Sequence, residues 1–140
     1  MNAVLREWIE KAEEDYVVAL REYRARKRPA YNAACFHAQQ CIEKYLKAVL
    51  TKQGIAFAKI HDLTLLLAPC LALFPLWEAM RADLKRLSGH AVRFRYPGES
   101  AEKTDAAAAV RIMKTCRQEI RDALGIRNGA TGRQKRVSAA

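Results

Sequence analysis

The run YNAACFHAQQCIEKYLKAVLTKQG, from Tyr31 to Gly54, leaves the chain few ways to fold. At 3.6 residues per turn, Tyr31, Cys35, Ala38, Ile42, Tyr45, Leu46 and Val49 fall on one side, which is the pattern of a single long helix with one buried face. Pro29 stands at the first turn, where no backbone N–H partner is needed, and Gly54 supplies the left-handed residue that ends a helix without a Cβ penalty. His37, Cys41 and Lys44 recur at i, i+4 and i+7 on a flank, with Gln40 nearby. An imidazole, a thiol, an ammonium and an amide along one edge exceed what a space-filling helix requires.

The flanking segments carry the same period. Leu5, Trp8, Ala12, Tyr16, Ala19, Leu20 and Tyr23 predict a first helix from about Val4 to Arg26, acidic early, basic late, its acids spaced as a solvent face. Its end is crowded with Arg21, Arg24, Arg26, Lys27 and Arg28, read equally well as a solvated helix end or as a phosphate-contacting corner. Asp62 is a good cap for a short third helix to about Leu73, with Leu65, Leu66 and Leu67 expected in the core and Pro69 bending or shortening it. His61, just before the cap, has room to stay near the second helix's flank and by default is read as a structural histidine bonded to backbone. A fourth helix is expected from Pro75 to Ser88-Gly89, and His90 to Gly98 as an ordered loop closing on the Pro97-Gly98 turn. A fifth helix opens at Ser100 or Thr104, runs to Leu124 and stops at Gly125. The expected fold is therefore all-α: an up-and-down four-helix bundle with one additional short helix over residues 1–125, and a basic, disordered tail over 126–140.

Composition narrows the function. A chain of 140 residues is one domain, and no apolar run is long enough to span a bilayer, so a cytoplasmic protein without a membrane partner is expected. Cys35, Cys41, Cys70 and Cys116 show no C-x-x-C spacing and read as buried thiols; His37 and Cys41 lack the further ligands a metal site needs, so neither metal nor cofactor is expected. A formal charge of +10 favours polyanionic partners. The sequence contains no P-loop, dinucleotide glycine motif, H-E-x-x-H or G-x-S-x-G.

The segment Tyr31-Asn32-Ala33-Ala34-Cys35-Phe36-His37-Ala38-Gln39-Gln40, followed by Glu43-Lys44-Tyr45-Leu46-Lys47-Ala48, resembles the signature helix of HEPN domains. Gly54, then His61-Asp62-Leu63 before a leucine run, and Arg95-Tyr96-Pro97 stand in that family's order, and the resemblance extends over about residues 5–124. It implies a helical bundle, often a homodimer, that binds nucleotide or RNA and works beside a minimal nucleotidyltransferase in a toxin–antitoxin-like module. Catalytic members of the family are metal-independent ribonucleases with an arginine and a histidine separated by four to six residues. A histidine can move the proton of a 2′-hydroxyl while an arginine stabilises charge at phosphorus. This sequence departs from that pattern: Arg86 and His90 are three residues apart, and Lys85, at the right distance, is not an arginine.

Binding is thus the first expectation. Arg93 and Arg95 are candidates to pair with phosphate and Tyr96 or Phe94 to stack on a base, with His37, Gln40 and Lys44 adding hydrogen bonds if the loop folds over the second helix. Two alternatives stand beside it: a protein–protein interaction bundle without nucleic-acid binding, and a ribonuclease using His90 with Arg86, Arg93 or Arg95.

Overall fold

The computed structural model describes residues 1–126, and the expected basic tail lies outside them apart from Ile126. Five α-helices form the domain: α1 (Ala3–Arg24), α2 (Tyr31–Lys52), α3 (Leu63–Leu67), α4 (Arg81–Arg93) and α5 (Lys103–Ala123). No strand occurs among the described residues. Contacts along the pairs fix the directions. Asp15 meets Lys44 and Trp8 meets Lys47, so α1 and α2 are antiparallel; Asn32 meets Ala101 and Lys52 meets Leu124, so α2 and α5 are parallel. This is the up-and-down bundle with a short helix inserted between its second and third long members.

α2 is the axis and packs against the other four helices. Its apolar stripe is buried from Cys35 to Val49, with Tyr31 half-buried at the start, and Ala34, Cys41, Ala48 and Leu50 are buried with it. An element covered on so many sides also draws polar side chains inward, and Gln39, Glu43 and Lys47 are buried. The stop is as the sequence predicts: Gly54 has φ 69°, a conformation that costs an L side chain about 1 kcal/mol or more.

The acids of α1 do not form one solvent face. Glu7, Glu10 and Glu14 are exposed, but Glu13 is half-buried and Asp15 buried, because basic and hydroxyl groups of α2 and α5 receive them. α1 also ends at Arg24, and Arg28 in the link adopts a left-handed φ of 52°. α3 is shorter than expected. Leu63, Leu66 and Leu67 face the core while Leu65 is exposed, and the chain tightens into a 3-10 turn at Ala68–Cys70 around Pro69.

The fourth helix departs furthest from expectation. Pro75–Met80 is a 3-10 turn, and α4 runs on through Ser88 and Gly89 to Arg93. A helical glycine costs only about 1 kcal/mol, and Leu84, Leu87, His90, Ala91 and Phe94, all buried, hold the inner face together past it. His90 and Arg93 therefore belong to a helix, not to a loop. α5 is capped by Glu102 with Asp105 in a capping box, rather than by Ser100 or Thr104.

Candidate functional site

Two buried carboxylates organise the polar side chains of α2. Asp15 of α1 accepts from His37 Nδ1 at 2.7 Å and from Lys44 Nζ at 2.5 Å. Glu43 accepts from Lys47 Nζ at 2.9 Å, from His61 Nδ1 at 3.1 Å, and from the Gln39 and Gln40 amides at 3.2 and 3.3 Å. Burial pushes the Glu43 pKa up, but the hydrogen bonds from Lys47, His61 and Gln39 and the Lys47 charge outweigh it, and the carboxyl is held below its ordinary value. Lys47 is enclosed by the Trp8 and Phe57 rings, 5.7 and 5.9 Å from its ammonium. The histidine expected to bond backbone thus uses its ring on Glu43, while its carbonyl accepts from Gln39 Nε2 at 2.8 Å.

Beside Glu43 lies an open cleft of about 1000 Å³ between α2, the start of α3 and α4. Phe36 and Gln40 come from α2, His61 from the link before α3, and Arg81, Lys85 and Gly89 from α4; Arg95 closes it from the segment after α4. Among the described residues Lys85 and Arg95 have no acidic partner, and the Arg95 guanidinium lies 5.5 Å from the Phe36 ring centroid. Arg81 is shared with Glu78 at 2.5 Å, and Asp62, also on the cleft wall, caps α3 through Thr64. Two uncommitted cations, a histidine and an aromatic ring on one concave surface are the components of a phosphate and base site. A smaller hollow of about 280 Å³ adjoins it and shares Phe36 and Arg95, with Asn32, His37 and Phe94 on its walls.

Of the residues expected to bind, Arg95 and Gln40 line the cleft, and His37 lines the adjoining hollow. Lys44 is committed to Asp15. Arg93 pairs with Glu99 at 2.6 Å and, like the exposed Tyr96, is not part of the cleft wall. Nor is the basic corner from Arg21 to Arg28. His90 is buried, its ring packed 5.5 Å from that of Phe94 and its Nδ1 without a hydrogen-bond partner among the described residues. Burial, with Arg86 and Arg93 nearby, lowers its pKa against the opposing pull of Asp105, so the ring is neutral at pH 7. Arg86 is exposed and away from the cleft wall. Sequence reasoning missed Phe36, Arg81 and Lys85 as wall residues. Arg81, Lys85 and Ser88 recur at four- and three-residue steps on the polar side of α4, a signal that a helix end at Gly89 hides.

Gly89 offers a test of its own. It sits inside α4 with nothing within 4 Å of an added Cβ, because that Cβ would project into open space. Gly89→Ala should raise stability by about 0.5–1 kcal/mol, read as an increased Tm. If ligand backbone approaches α4 here, the same substitution should weaken binding.

A model of the HEPN domain matches residues 5–123 of the chain. Among solved structures, TT1696 from Thermus thermophilus superposes with a TM-score of 0.73 at 24% identity, covering 84% of this chain and 96% of that one. ST0689, described as an archaeal HEPN homologue, superposes with a TM-score of 0.69 at 23% identity, covering 86% and 97%. Among curated proteins none matches. With the family model spanning all five helices, the chain belongs to the HEPN domain family.

Proposed function

We propose that this HEPN domain protein binds nucleotide or RNA phosphate in the cleft between α2, α3 and α4. The observation that carries the reading is the pair Lys85 and Arg95: two cations without acidic partners among the described residues, on one concave wall beside an aromatic ring able to stack on a base. The formal charge of +10 supports the same class of ligand by raising the encounter rate with polyanions. The resemblance adds a homodimer and a minimal nucleotidyltransferase partner to the proposal, and the absence of a membrane-spanning apolar run in the sequence adds a cytoplasmic setting.

Arg95 and Arg93 give a matched comparison, since both are exposed arginines two residues apart and only Arg95 lines the cleft. In a titration with labelled single-stranded RNA, Arg95→Ala should weaken binding and reduce the salt slope by about one, whereas Arg93→Ala should stay near wild type. Equal losses in the two variants would contradict a cleft site. A protein-contact role has its own support in the leucines Leu65, Leu73 and Leu76, which are 58%, 51% and 88% exposed. That reading predicts RNA affinity that depends on neither arginine.

A further inference from the structure

We infer that the small hollow adjoining the cleft is a pocket for one unpaired base, so that the site takes single-stranded RNA in preference to a duplex. This rests on the reading of the cleft as an RNA phosphate site and adds to it which form of RNA is held.

The hollow has the size and the walls that a base requires. Its volume of about 280 Å³ exceeds the roughly 150 Å³ that suffices for a protein cavity to take up benzene. Phe36 and Phe94 supply aromatic surface, and the short side chains of Ala33 and Ala91 leave room between α2 and the end of α4. The Phe36 ring is held by its neighbours. His37 meets it edge-on with ring centroids 5.2 Å apart, and the Arg95 guanidinium lies 5.5 Å from its centroid. Aromatic surface of this kind serves any base, because every base has a π-face.

Two polar groups on the same walls are pinned so that their free ends differ. Asp15 is a buried carboxylate paired with Lys44 at 2.5 Å. A carboxylate only accepts, so in its 2.7 Å contact with His37 the proton sits on Nδ1. The neutral ring then offers the lone pair of Nε2, and the His37 side chain is 30% exposed. Asn32 is oriented from the segment before α5. Its Oδ1 accepts from the Ala101 N–H at 2.7 Å, which turns the amide nitrogen into the end that a ligand meets. One acceptor and one donor thus line one hollow.

That pair suits unpaired bases as a class. Each of the four carries a donor beside an acceptor on its Watson–Crick edge. A duplex occupies that edge, and its bases leave the stack only at the cost of unpairing. Arg95 belongs to the walls of both the hollow and the cleft. A base seated in the hollow therefore leaves its own phosphate beside Arg95, with Lys85 in the cleft for a neighbouring phosphate.

The test titrates the full chain, at one salt concentration, with three end-labelled probes: a single-stranded RNA, the same sequence as a duplex, and an abasic sugar–phosphate strand of equal length. The duplex has the greater phosphate density, so net charge alone would favour it. The single strand should instead bind about 10-fold or more tighter than either of the others. Ala33→Leu fills the hollow without changing charge. It should bring single-strand affinity down to that of the abasic strand, while affinity for the abasic strand stays near wild type, which also reports that the variant is folded. Equal binding of the single and abasic strands, or tighter binding of the duplex, would overturn the base pocket and leave the phosphate site standing. Single-strand affinity unchanged in Ala33→Leu would overturn the pocket as well. Binding of none of the three probes would overturn the reading of the cleft and the pocket with it.

Discussion

Glu43→Ala is expected to be among the most damaging single substitutions in the domain, costing about 3–5 kcal/mol of folding stability. The carboxylate lies within the bundle and answers Lys47, whose side chain is only 9% exposed. Removing Glu43 leaves that ammonium enclosed by Trp8 and Phe57 with no anion, and strips an acceptor from the Gln39 amide. An uncompensated buried charge costs more than the pair contributed while intact. Urea unfolding should show a midpoint well below wild type. Exchanging Glu43 and Lys47 together for apolar residues of similar size should recover much of the loss, whereas a loss that persists would show that charge pairing is not its cause.

Glu13→Ala should be nearly as severe, at about 2–4 kcal/mol. Glu13 of α1 is gripped by Arg117 of α5 through two hydrogen bonds of 2.7 Å and accepts from the Tyr45 hydroxyl of α2, so one carboxylate joins three helices. Arg121, 1% exposed, donates to the same hydroxyl at 3.0 Å and lies 3.7 Å from Glu13. Burial raises the Glu13 pKa, but the bonds from Arg117 and Tyr45 and the charges of Arg117 and Arg121 outweigh it, leaving the carboxyl below its ordinary 4.5, as for Glu43. Carboxyls held below their ordinary value stabilise the native state above pH 4.5, and that contribution is lost as the pH falls through the lowered values. The urea midpoint should accordingly drop below pH 4.5, and Glu13→Gln should flatten the drop.

The long helices were legible in the sequence because their apolar residues recur at a helical period, and Gly54 and Gly125 marked real stops, with φ of 69° and 76°. Gly89 misled because glycine has two meanings in a helix. It ends one when a left-handed residue is required and is merely tolerated when packing holds the next turn, as Ala91 and Phe94 do here. That single residue moved His90 into the core. The buried acids were less legible still, since Glu13 and Asp15 stand one and three residues after Ala12 and look like any acidic helix surface. Only the positions of Tyr45, Lys44 and Arg117 on other helices turn them inward, and one helix's pattern does not contain its neighbours. The cleft was half visible. Gln40 stands out on the polar flank of the second helix and Arg95 in the basic segment before Pro97, while Lys85 and Phe36 become partners of Arg95 only once α2 and α4 are packed together.

The cleft reading is tested most directly by removing the same charge in two places. Lys85→Ala with Arg95→Ala takes two cations from the cleft wall, and Arg26→Ala with Arg28→Ala takes two from the exposed link between α1 and α2. Titrated with labelled single-stranded RNA over a range of salt concentrations, the cleft variant should lose most of its affinity and about two from its salt slope, while the link variant stays close to wild type. Matching losses in both variants would contradict a specific site and reduce the interaction to net charge alone.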